Sequence, residues 1–120
     1  MKAFVAPVVL AALLFALPAA AQKGVNIQAR TAGDLADVCA ADPKSAEGDA
    51  KINFCHGFAQ GAINVELRQG RKTFCFPATP PTRTQTMNEF VIWVRGGSDR
   101  RAMPAVDGLF RFLGERFPCK

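Results

Sequence analysis

The sequence predicts an all-α, four-helix domain that is small and stabilised by disulfides. Three observations lead there. No stretch alternates apolar and polar residues with a period of two, whereas several repeat apolar residues at steps of three and four. Four cysteines, Cys39, Cys55, Cys75 and Cys119, follow a leader of the secretory kind. An exported chain meets an oxidising compartment, where an even cysteine count reads as paired bridges. The segment behind the leader is also short, so one modest core must be reinforced by crosslinks.

The leader comes first. Met1-Lys2 is a short basic start, residues 3–17 are almost continuously apolar, and Ala19-Ala20-Ala21 offers the small residues that signal peptidase cuts after. The apolar run is too short to span a membrane, so no stable insertion is expected once residues 1–21 are removed. Cleavage after Ala21 leaves 99 of the 120 residues and lowers the formal charge from +5 to +4. The expected location is the periplasm. So mild a charge, with no tyrosine and one tryptophan, argues against a nucleic-acid partner.

Residues 22–30 lack a helical period and are expected as an extended arm ahead of a domain over 31–120. Thr31 and Asp34 have the spacing of a capping box, so a short helix should run to about Ala41, where Asp42-Pro43 stops it. A second helix is expected from Gly48-Asp49 to Arg68. It would bury Ile52, Cys55, Phe58, Ala59, Ala62 and Val65, with Asn53, His56, Gln60 and Asn64 opposite. Gly70 is its stop. Residues 71–83 hold three prolines and form a connecting loop around Cys75. Thr82 and Gln85 mark a second capping box, and the third helix should cover Arg83 to Arg95, burying Met87, Phe90, Val91 and Val94. Gly96-Gly97 ends it. A turn through Ser98 to Arg101 then leads to a fourth helix opened by Pro104, with Val106, Leu109, Phe112 and Leu113 inward.

Four cysteines permit three connectivities, and spacing alone selects none. If the first two helices run antiparallel, Cys39 lies beside the early part of the second, where Cys55 is on the apolar side. Joining Cys55 to Cys75 would instead mean retracing about 20 Å of helix with a short, nearly extended loop. Cys39–Cys55 and Cys75–Cys119 are therefore favoured.

The residues offer little chemistry. His56 follows Cys55, but covalent haem attachment needs a second cysteine where Ile52 stands. Zinc needs three or four converging ligands, and the chain has one histidine. A bridged Cys55 is no nucleophile, and the carboxylates are dispersed. No catalytic, metal-binding or cofactor-binding residue is nominated. Gly57 and Gly61 share one helical face, each at a cost of about 1 kcal/mol against alanine, so something should approach that backbone closely. The ordinary candidate is another helix or loop of the same domain; the alternative is a partner or second subunit. Arg68, Arg71 and Lys72 cluster where the second helix meets the loop, and Arg95, Arg100 and Arg101 surround another loop. The first cluster is the candidate contact for an acidic partner.

Leu35-x-x-x-Cys39, Cys55-x-Gly57-Phe58-x-x-Gly61, Phe74-Cys75-x-Pro77, a helix opened by Gln85 and a terminal Phe117-Pro118-Cys119 together resemble the Rap/Tai family of immunity proteins. The resemblance spans about Thr31 to Cys119. It departs at Phe58, where tyrosine is frequent, and at Gly96-Gly97-Ser98, where a His-Pro pair is usual. It implies a non-enzymatic periplasmic inhibitor, associated with type VI secretion, that occupies the active-site cleft of a peptidoglycan amidase effector, commonly as a homodimer. The residues also admit a small periplasmic helical chaperone, although one histidine makes a poor pH switch. An orphan binding protein of the same fold without an amidase partner is the remaining alternative.

Overall fold

The computed structural model describes residues 24–120; the expected leader at 1–21 and the first two residues of the arm lie outside them. The described residues form five helices and no strand: α1 (Ala32–Cys39), α2 (Ala46–Arg68), α3 (Arg83–Arg95), α4 (Ser98–Arg101) and α5 (Ala105–Arg116). The domain is all-α, with one short helix more than expected. That helix, α4, is a single turn of four residues. So short a segment carries no apolar period for a sequence reading to detect.

The caps set the ends. Thr31 accepts the Asp34 N–H at 3.1 Å, and the Asp34 carboxylate accepts the Thr31 N–H at 3.0 Å, which completes the box. At α3, Thr82 accepts the Gln85 N–H at 3.1 Å. The start of α2 is a correction, because Ser45 is its N-cap and accepts the Gly48 N–H at 2.9 Å. Gly48 is thus inside the first turn. A Cβ there would lie 1.7 Å from the Asp42 carbonyl oxygen, so only glycine lets the chain reverse so tightly between α1 and α2. Gly70 has φ 71° and ends α2 in the left-handed conformation. Pro104 is the N-cap of α5 rather than a member of its first turn.

Short α1 is the hub, packed on α2, α3, α4 and α5. Leu35 and Ala36 are fully buried there, against Phe90 and Val94 of α3 and Leu109 and Leu113 of α5. The approach of α5 to α1 is close: a Cβ on Gly108 would stand 2.5 Å from that of Ala32. Just before both helices the chain forms a single antiparallel bridge, Thr31 with Pro104. Ala32 donates to Met103 at 2.8 Å and Ala105 to Arg30 at 3.0 Å. Ile27 and Ala29 of the extended arm rest against the core. Cys39 is bonded to Cys55 and Cys75 to Cys119, the pairs that the helix geometry favoured.

Two expected core positions are not in the core. Val65 is 57% exposed and Val106 is 38% exposed. For Val65 the reason is length. With eight residues, α1 covers about 12 Å, whereas the 23 residues of α2 extend about 34 Å. The second half of α2 therefore runs beyond its principal neighbour.

Candidate partner-binding surface

The overhang of α2 leads into the loop 69–82, and the loop is well anchored at its base. Phe74 is buried, with its ring centroid 5.4 Å from that of Phe76 and 5.7 Å from that of Phe110. Phe76 in turn meets Phe117 at 5.1 Å. The Cys75 N–H donates to the Phe117 carbonyl at 2.8 Å, beside the Cys75–Cys119 bridge. The Thr73 hydroxyl donates to Glu66, a carboxylate 4% exposed on α2. Aromatic packing, a backbone hydrogen bond, a disulfide and a buried carboxylate thus fix the loop from Thr73 to Phe76 on α2 and α5. A surface pre-organised in this way loses little conformational entropy on binding.

The basic turn stands on that base. Arg68, Arg71 and Lys72 are all exposed, and none is ion-paired among the described residues. The second basic loop is different. Arg101 pairs with Asp37 at 2.8 Å, and Arg100 lies 4.5 Å over the Trp93 ring while donating to the Trp93 carbonyl at 2.6 Å. Those two cations are engaged inside the domain. The structure brings Arg68, Arg71 and Lys72 together at one end of α2.

Two grooves flank α2. One, of about 250 Å³, lies between α2, the proline segment and the start of α3; its walls include Ile63, Phe76, Pro81 and Met87, with His56 and Arg83 at its polar edges. His56 is half-buried there, not fully solvated as its neighbours Asn53 and Gln60 suggested. The other groove, about 500 Å³, lies between α2 and α5, lined by Gly61, Val65, Val106 and Phe110, with Arg71 at its rim. Gly57 and Gly61 belong to this side. The expected close neighbour within the domain is missing, since a Cβ on either glycine meets no atom within 4 Å among the described residues.

All four cysteines are bridged, and among the described residues no group of three or more His, Cys, Asp or Glu could hold a metal. Acidic groups with shifted titration belong to local structural pairs. The Thr31 N–H holds Asp34 below the ordinary carboxylate range, and Lys51 does the same for Glu47. The Trp93 indole N–H, then Arg111, lowers Glu115. None of them lines either groove. What the surface offers is shape, apolar area and unpaired positive charge, the properties of a protein-binding face.

Comparison with curated proteins and with solved structures finds no match. Comparison with family models does, aligning residues 31–119 with the Rap1a immunity proteins. That span runs from the N-cap of α1 to the last bridged cysteine. An all-α body with two bridges, a rigid loop and no chemical centre among its described residues is consistent with an immunity role, and the chain belongs to the family of Rap1a immunity proteins.

Proposed function

We propose that this immunity protein acts in the periplasm, where it binds a peptidoglycan amidase effector and obstructs the active-site cleft. The observation that carries the reading is family membership over residues 31–119, joined to a loop fixed at its base and basic at its start. An export leader and two disulfides suit the compartment in which a cell wall is attacked. Inhibition by occupation requires no catalytic residue on the inhibitor. It requires a rigid projection whose charge favours encounter, and Arg68, Arg71 and Lys72 supply that charge. The protein is accordingly a binder and not an enzyme.

The test uses oxidised, leader-free protein and purified peptidoglycan amidase effectors. The wild type should form a stable complex and stop release of peptide stems from peptidoglycan. Arg71→Glu with Lys72→Glu should weaken inhibition by about tenfold, equivalent to about 1.4 kcal/mol. Unchanged inhibition would move the contact away from the basic turn. Absence of any complex with a cell-wall hydrolase would remove the proposal altogether.

A further inference from the structure

The groove between α2, the proline segment and the start of α3 joins an apolar floor to polar groups that the fold leaves unused. Ile63, Phe76, Pro81 and Met87 line its volume of about 250 Å³. Met87 is buried and the other three are half-buried. The walls are fixed in advance. The Cys39–Cys55 bridge ties α2 down one residue ahead of His56. The Phe76 ring is held between Phe74 at 5.4 Å and Phe117 at 5.1 Å. Mostly apolar walls, formed beforehand and bearing a few polar groups, are the usual anatomy of a small-molecule site.

The polar edge carries charge of one sign. Arg83 is the first residue of α3, whose first turn contains no acidic residue. Its guanidinium has no ion pair among the described residues, and no carboxylate is among the residues that line the groove. His56, half-buried on α2, makes no side-chain hydrogen bond among the described residues. We propose that this groove binds an amphiphilic monocarboxylate, the chemistry of a medium-chain fatty acid, with its apolar body on the floor and its carboxylate between Arg83 and His56. The guanidinium fork matches the two oxygens of a carboxylate, and an imidazole N–H supplies a further donor. Size sets the length of the body. A cavity of about 150 Å³ takes up benzene, so in proportion about 250 Å³ accepts roughly eight to ten carbons. A stable protein interface buries about 1,200 Å² or more, which a groove of this size does not offer by itself. The wider groove between α2 and α5 lacks the single sign, because both Glu66 and Arg71 line it.

This site goes beyond the effector reading and is separable from it. Sodium octanoate, 1-octanol and octyltrimethylammonium share one chain length and differ in charge. Titrated into oxidised, leader-free protein, octanoate should shift the methyl resonances of Ile63 and Met87 saturably, with a dissociation constant below about 1 mM. Octyltrimethylammonium should bind at least about tenfold more weakly, because Arg83 repels it. Arg83→Gln, at an exposed position, should weaken octanoate about tenfold and leave octanol unchanged. Ile63→Trp should fill the floor and abolish binding of both. Failure of octanoate to saturate by about 10 mM overturns the proposal. So does equal affinity for the three probes, or octanoate affinity that survives Arg83→Gln. Shifts centred on Val65 and Val106 place the ligand in the other groove and overturn it as well. If octanoate does not bind and Ile63→Trp loses amidase inhibition, the groove belongs to the effector and the proposal falls. Octanoate binding in a protein that inhibits no amidase upholds the site and defeats the effector reading instead.

Discussion

Gly108 and Gly61 each interrupt the interior of a helix, yet they answer to different neighbours. At Gly108 a Cβ would fall 2.5 Å from the Ala32 Cβ, so the small residue permits a close helix approach in the core. At Gly61 a Cβ would meet nothing within 4 Å among the described residues. One glycine is required by the fold, and the other is tolerated by it. The same contrast holds between whole regions. The α1–α3–α5 junction holds most of the fully buried side chains, while the outer face of α2 carries exposed apolar ones.

Truncating one side chain from each region should separate them most sharply. Leu35→Ala, at a fully buried position of α1, should cost about 2–5 kcal/mol in urea melts. Val65→Ala, on the outer face of α2, should change stability by less than about 0.5 kcal/mol. Equal losses would erase the distinction.

The glycines sharpen it further, with opposite signs. Gly108→Ala gains helix propensity but drives a methyl into Ala32, for a net loss of about 1–2 kcal/mol. Gly61→Ala keeps only the propensity and should stabilise the domain by about 1 kcal/mol. A destabilised Gly61→Ala variant would reveal a neighbour that the fold does not show.

The smallest effect concerns the entry to α1. Asp34 is held below its ordinary value of 3.8 by the Thr31 N–H. A depressed folded pKa stabilises the fold above the unfolded value and is lost as pH falls through the folded one. Thermal melts taken down through about pH 4 should therefore fall more steeply for the wild type than for Asp34→Asn, which lacks this proton linkage. Parallel profiles would mean that the box contributes nothing to acid stability.

Signals confined to a few neighbouring residues were legible in the sequence. Thr31 with Asp34, the bounds of α3 and the stop at Gly70 depend on short-range geometry, and the structure follows them. Ser45 is the N-cap, although Gly48-Asp49 reads in the sequence as the more natural break. Val65 and Val106 fall inward by period alone. Periodicity reports that a helix has an apolar side; it does not report whether a neighbour is long enough to cover that side. What lies opposite the glycine pair was equally out of reach of the period, since close packing depends on the neighbour. Of the candidate site, the basic cluster could be read directly from the chain. The grooves, which need the loop, α2 and α5 at once, could not.

The bond between Cys75 and Cys119 closes residues 75–119 into a covalent ring that contains α3, α4 and α5. A protease that nicks the backbone once inside this ring leaves both pieces tethered by sulfur. A nicked molecule would migrate intact on a gel until a reductant was added, and it would keep the loop base joined to the chain end. For a protein proposed to work among extracellular hydrolases, a single cut need not be an inactivation.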